Sequence, residues 1–277
     1  MRVYHLNCGS LYPHFPRIQG IVYCLLVETN EGLVLVDTGF GLEDCINPTR
    51  LMRLFRWMVT PVSGDVEETA VRQIARLGFA REDVRHIVMT HLHLDHAGGL
   101  RDFPDAQVHV FRPEYEAAMQ PRGYVELFYD AAHWAHGPRW VLHDLHAADE
   151  RKWFGFDCIP IVDGLSPEIL MVPLPGHTRG HCGVAVNTSE GWLFHCGDAA
   201  SPYHREADPH QLGDEFYRLC FFPAWFVRWL LGPHVPRLRK LAREHGDQVQ
   251  LISSHDIYSF SVATRASRRD SQAATVR

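Results

Sequence analysis

A chain of 277 residues can bury a core that needs neither disulfides nor a structural metal, so a metal bound to it would serve chemistry rather than folding. The composition, 46% hydrophobic and 22% charged, is that of an ordinary globular protein, and a net charge of −6 argues against binding to nucleic acid or to an anionic membrane. Seven scattered cysteines without a CxxC pair fit neither a disulfide framework nor a zinc-thiolate cluster, and point to a reducing, cytoplasmic setting.

The N-terminal MRVYHLNCGS reads as a strand and lacks the apolar stretch of a secretory signal. IVYCLLVET (21–29) and GLVLVDTG (32–39) are β-branched runs, and Asn30, Glu31 and Gly32 between them predict a hairpin. Asp65 followed by Glu68 predicts a capping-box start for a helix, on which Val71, Ile74 and Leu77 recur at helical spacing until Gly78 ends it. HIVMT (86–90) is a short apolar strand that runs straight into HLHLDH (91–96). Helical stretches are expected near 113–120, 124–146 and 235–245.

Three further strand-like runs each deliver a polar residue into a loop: ILMVPLPGH ends at His177, GWLFHCGD at Asp198 and VQLISSH at His255. Four strand ends converging on one rim would make one site, held rigidly by the strands and open to substrate through the loops. The alternation of strands and helices predicts layered α and β structure in one domain over 1–262, with 263–277 too poor in apolar residues to pack. FFPAWFVRWLL (221–231) is too short to span a bilayer and carries Arg228; it fits a substrate-pocket wall, core packing or a homodimer interface.

HLHLDH places His91, His93, Asp95 and His96 within six residues. Residues two apart in an extended segment share a face, so His91 and His93 can address one point, while Asp95 and His96, where the chain turns toward AGGL, can address a second. Imidazole nitrogen and carboxylate oxygen suit zinc and similar divalent ions, and a catalytic ion takes three or four such ligands while keeping a position for water. The loop alone is short of ligands for two ions. His177, Asp198 and His255 are the strand-end candidates for the rest.

HLHLDH resembles the signature of the metallo-β-lactamase superfamily, and LVDTG with Asp37, PGHT with His177, GD with Asp198 and SHD with His255 follow in the order of that family. The resemblance spans about residues 20–260 and implies an α+β fold, a four-layer αβ/βα sandwich with a dinuclear site on one edge. It implies that His91, His93 and His177 hold one divalent metal and Asp95, His96 and His255 the other, with Asp198 and a hydroxide between them and Asp37 steadying the ligand loop. Zinc is the first choice, and manganese, iron or cobalt also suit mixed nitrogen and oxygen donors. The implied reaction is attack by the hydroxide on an electrophilic carbonyl or phosphorus, with Asp95 or Asp198 orienting the nucleophile or passing its proton to the leaving group.

An aspartate in the bridging position sets the chain apart from the class B β-lactamases and brings it nearer the lactonase and esterase branch, which includes N-acyl homoserine lactone hydrolases. Ser201 stands where those lactonases carry a tyrosine, and Tyr203 is the candidate replacement. The expected substrate is a small, partly apolar ester or lactone. A thioesterase or phosphotriesterase of the same fold stays open, as does a reading of another class, a metal-binding scaffold without catalysis. A glutathione thioesterase would need a cluster of basic side chains, which the sequence does not show; only Arg179 and Arg205 are close to the motifs. His133, His136, His143 and His146 read as a solvated helix face, and His181 and His195 as packing or supporting groups beside the ligands.

Overall fold

Strand positions 21–27 are buried on both faces, and that double burial sets the architecture. A computed structural model describes residues 2–12, 19–58, 60–122, 125–145, 151–199 and 233–265. One sheet runs in chain order: β1 (Val3–Leu11), β2 (Gly20–Thr29), β3 (Gly32–Val36), β4 (Val84–Val88), β5 (Gln107–Phe111) and β6 (Arg139–His143). After the small hairpin of β7 (Lys152–Trp153) and β8 (Phe156–Asp157), a second sheet is built from β9 (Ile159–Pro160), β10 (Ile169–Pro173), β11 (Cys182–Thr188), β12 (Gly191–His195) and β13 (Val249–Ile252). The named helices among the described residues are α1 (Leu42–Ile46), α2 (Arg50–Met58), α3 (Ala70–Arg76), α4 (Leu94–Ala97), α5 (Arg112–Met119) and α6 (Val235–His245), and residues 257–265 are helical as well.

Between the sheets, Tyr23, Leu25, Val34, Val36 and Val88 meet Met171, Val184, Val186 and Ile252. The opposite face of the first sheet, with Leu26, Leu35, Ile87 and Val108, packs on Met52 of α2 and Ile74 of α3. The outer face of the second, with Leu170, Val172, Ala185 and Phe194, receives Leu238 and Leu241 of α6. Helix, sheet, sheet and helix make the four-layer sandwich that the sequence implies. Each fully buried leucine or valine in these layers contributes about 2 kcal/mol.

The β2–β3 hairpin forms as expected, with Thr29 opposite Gly32 across Asn30 and Glu31. The helix expected after Asp65 differs. Asp65 caps a short 3-10 turn at Glu67 N, and the regular helix starts only at Ala70. Glu68 does not turn back on the cap; it accepts from Ser10 N at 2.7 Å and from the Ser10 hydroxyl at 2.8 Å, tying this connection to β1. The expected helix over 124–146 is also absent from the described residues. Two 3-10 turns (Val125–Phe128 and Ala131–Trp134) come first, Gly137 and Pro138 break the path, and RWVLH then pairs in parallel with β5 as β6. His133 and His143 are therefore not on a solvated helix face, whereas His136 is exposed, in the turn ahead of Pro138. His133 Nε2 lies 2.9 Å from Asp44 Oδ1, both buried, and His143 belongs to a row of rings on the sheet; His146 lies outside the described residues.

That row crosses three strands. His109 Nε2 lies 2.9 Å from His86 Nδ1, and His143 Nε2 lies 2.9 Å from His109 Nδ1. Glu31 lies 3.7 Å from His86 Nε2, which favours a proton there and makes each ring in turn donate through Nε2 to the next. An extra proton has no acceptor at the centre of such a row. Burial first, then the neighbouring His143 and His86, push His109 down to about 3, and burial also lowers His86 and His143, with Glu31 and Asp144 opposing. Because the folded value lies below the ordinary 6.5, the unfolded chain binds more protons between those limits. This contribution to stability is complete above pH 6.5 and is lost as the pH falls toward 3. Urea unfolding at pH 7 and pH 5 should show His109→Gln losing less stability than the parent chain, by about 1–2 kcal/mol; parallel losses would show that the row does not titrate in this way.

Candidate metal centre

Strands β3 and β4 are parallel neighbours, so the loops that follow them start side by side. Asp37, just after β3, sits at φ +54°, a left-handed conformation that aspartate tolerates better than most residues. Its fully buried carboxylate accepts from Thr90 N and from the Thr90 hydroxyl, both at 2.7 Å, and from His96 Nδ1 at 2.9 Å. With its hydrogen committed to Asp37, the Thr90 oxygen accepts from His91 Nδ1 at 3.0 Å. His255 Nδ1 donates in the same way to the Ile21 carbonyl at 2.8 Å. In all three rings the outer contact holds a proton on Nδ1 and turns Nε2 inward, so Nε2 is the atom left to bind a metal in exchange for any proton it carries.

The other ligand candidates arrive from the second sheet. His177 follows β10, and its Nε2 lies 3.1 Å from His93 Nδ1. Asp198 follows β12 on a turn held by two histidine acceptors: Gly197 N donates to His195 Nδ1 at 3.2 Å and Asp198 N to His181 Nε2 at 2.9 Å. Burial lowers the pKa of both rings, keeping them neutral and able to accept. Gly197 is required there, because its φ is +56° and a Cβ would meet His181 Nε2 at 2.5 Å. Both histidines thus act as the supporting groups expected of them.

The seven ligand candidates come together. Donor atoms of His91, His93 and His177 lie within 4.8 Å of one another, as do those of Asp95, His96 and His255, and a third set joins His91, His96 and Asp198. Asp198 Oδ2 is 3.4 Å from His177 Nε2 and 3.4 Å from His255 Nε2, while its Oδ1 is 3.6 Å from His96 Nε2. The carboxylate therefore stands between the two groups. His91 and His96 are sealed from solvent, whereas the side chains of Asp198 and His255 are 13% and 26% exposed, so the centre opens on their side.

The donors fit divalent ions. His91 Nε2, His96 Nε2 and Asp198 Oδ1 are buried and have no hydrogen-bond partner among the described residues, a state that costs about 1–3 kcal/mol per atom unless something else satisfies it. The field also draws in positive charge. Burial alone would lower His96, yet the carboxylates of Asp95, Asp198 and Asp37 outweigh it and hold the ring up to about 10. His255 is likewise held at about 9 against its burial, by Asp198 first and then Asp95. Nitrogen and carboxylate donors in two adjacent sets, with a net attraction for cations, suit zinc or a similar ion in each.

Sequence reasoning does not reach Thr90, the residue that fixes the His91 tautomer, since one threonine ahead of a motif carries no signal of its own. Arg179 is committed elsewhere, donating through Nε to Glu126 at 2.5 Å and through an Nη to the Gln120 carbonyl at 3.0 Å. Tyr203, Ser201, Arg205 and the 221–231 run lie outside the described residues.

The profile described as the metallo-beta-lactamase superfamily matches residues 17–218. The chain belongs to the metallo-β-lactamase superfamily. It is 40% identical over 263 residues to a Mycobacterium tuberculosis protein named as a probable metallo-hydrolase, covering 92% of this chain and 80% of that one. An N-acyl homoserine lactonase of a Bacillus species is 30% identical over 174 residues, which is 61% of this chain and 59% of the lactonase. The fold is also similar to that of Bacillus thuringiensis AiiA, solved with N-decanoyl-L-homoserine at its active site, with a TM-score of 0.67, 22% identity and coverage of 94% and 95% of the two chains. Paired His and Asp donor sets within this fold make the chain a metal-dependent hydrolase of the superfamily with a dinuclear centre.

Proposed function

We propose that this hydrolase cleaves an ester or lactone bond of a small, partly apolar substrate, using two zinc ions. The observation that carries the reading is the place of Asp198, with one oxygen 3.4 Å from a nitrogen of each histidine set. His91, His93 and His177 would hold one ion, Asp95, His96 and His255 the other, and Asp198 both. When bound, such a pair lowers the pKa of a water at the centre toward neutrality and polarises the carbonyl under attack. Asp198 orients the attacking water through whichever lone pair the ions leave open, on the side where the centre meets solvent. Asp95, whose Oδ2 lies 3.6 Å from His255 Nε2, is placed to carry a proton toward the departing oxygen. The 30% identity to an N-acyl homoserine lactonase supports lactones as the first substrate class to try.

Tyr203 is proposed as the hydroxyl that steadies the substrate carbonyl in place of the lactonase tyrosine, and the 221–231 run as the wall for the apolar part or as a homodimer contact. A reducing, cytoplasmic setting is part of the same proposal, on the scattered cysteines of the sequence. Among the described residues no helix is long and apolar enough to cross a membrane. The test is proton release by the zinc-loaded protein against a graded series of N-acyl homoserine lactones. Hydrolysis that strengthens with acyl length is expected, through burial of about 0.8 kcal/mol per added methylene. A protein that holds two ions yet leaves lactones intact and cleaves only thioesters or phosphotriesters would replace the lactone reading; no hydrolysis of any of them would favour the non-catalytic scaffold.

A further inference from the structure

Four donors from three separate loops meet on one carboxylate that touches none of the metal-ligand atoms. Glu114 lies in the first turn of α5 and is fully buried. Its Oε1 accepts from Leu92 N at 2.8 Å and from the Tyr129 hydroxyl at 2.9 Å; its Oε2 accepts from the Thr178 hydroxyl at 2.6 Å and from Gly180 N at 3.2 Å. Leu92 is the residue between His91 and His93, and Thr178 directly follows His177. The Tyr129 ring lies 5.2 Å from that of His93. The fit at the second loop is close, since a Cβ on Gly180 would meet Glu114 N at 1.9 Å. Every one of these contacts leads to a member of the His91, His93 and His177 set. None leads to Asp95, His96 or His255; His96 hangs instead on Asp37, and His255 on the Ile21 carbonyl.

We infer that Glu114 is the positioning residue of the first metal set: it fixes the distance between the His91–His93 loop and the His177 loop, and so sets the affinity of that ion without touching it. This rests on the dinuclear reading above. The chemistry needs a carboxylate, because only a group with two acceptor oxygens and no hydrogen can receive two backbone N–H donors and two hydroxyls at once. A glutamine of the same shape must turn its NH₂ toward one pair. The Thr178 or Tyr129 hydroxyl can rotate and accept, but the Gly180 or Leu92 N–H cannot, so one loop is left facing a donor and moves away.

The test uses two backgrounds that separate the sets, His255→Ala to weaken the second and His93→Ala to weaken the first, with Co²⁺ titrated against a chelator and followed by its visible absorption. Glu114→Gln should weaken Co²⁺ binding by about 10- to 100-fold in the His255→Ala background and leave it within about twofold in the His93→Ala background. Thr178→Val, which removes one donor and keeps the volume, should act in the same direction by a few fold and serves if the glutamine variant does not fold. Equal weakening in both backgrounds, or none in the first, would overturn the role of Glu114. These affinities are independent of turnover: an otherwise intact chain that binds two ions but hydrolyses nothing would defeat the proposed function and leave this inference standing.

Discussion

Asp198→Ala is expected to lower hydrolysis by a factor on the order of 10³ or more and to leave the fold intact. The carboxylate lies between both histidine sets, at 3.4 Å from His177 Nε2 and 3.4 Å from His255 Nε2, so on the proposed reading its loss would remove a ligand from both ions together. His93→Ala should reach a similar rate by another route, because its ring serves only the first set. Metal analysis separates the two: about one ion per chain should remain with His93→Ala, while Asp198→Ala should show weaker binding of both. The two sheets pack through large apolar layers that neither side chain joins, so circular dichroism should be unchanged. Full activity in either variant would defeat the mechanism.

The candidate ligand set was legible in the sequence because each of the loops that carry it follows a strand, where the chain pattern changes from apolar to polar in a few residues. HIVMT into His91 and GWLFHCGD into Asp198 are such steps, and the fold places them on one rim. What the sequence hid is of two kinds. The segment 124–146 has helical spacing of histidines, but its last part forms β6, because pairing with β5 and the break at Gly137 and Pro138 outweigh local periodicity. The supports of the centre were hidden for a different reason. Thr90 and Glu114 act through contacts with residues 53 and 15 to 66 positions away, and nothing near them in the chain marks those partners. His181 and His195 were easier, being close to His177 and Asp198, although their common role as acceptors for two successive amides depends on the turn at Gly197.

Asp37→Asn should weaken both metal sets by about 10- to 100-fold each, although residue 37 is a ligand of neither. The argument is one of hydrogen-bond direction. As a carboxylate, Asp37 accepts from Thr90 and from His96 Nδ1, and Thr90 in turn accepts from His91 Nδ1. An asparagine that keeps its oxygen toward Thr90 N presents its NH₂ to the Thr90 hydroxyl and to His96. The hydroxyl then turns to donate to His91 Nδ1, and His96 Nδ1 becomes an acceptor. Both rings consequently carry their hydrogen on Nε2, the atom that must be bare to bind an ion, and one of those rings belongs to each set. Asparagine also suits the backbone at φ +54°, whereas alanine would add about 1–2 kcal/mol of left-handed strain to the loss of three buried hydrogen bonds. The asparagine variant should therefore fold, bind zinc poorly in competition with a chelator, and recover part of its rate when zinc is raised. Wild-type affinity in a folded Asp37→Asn protein would show that the two tautomers are set by the ions themselves rather than by the chain that leads back to Asp37.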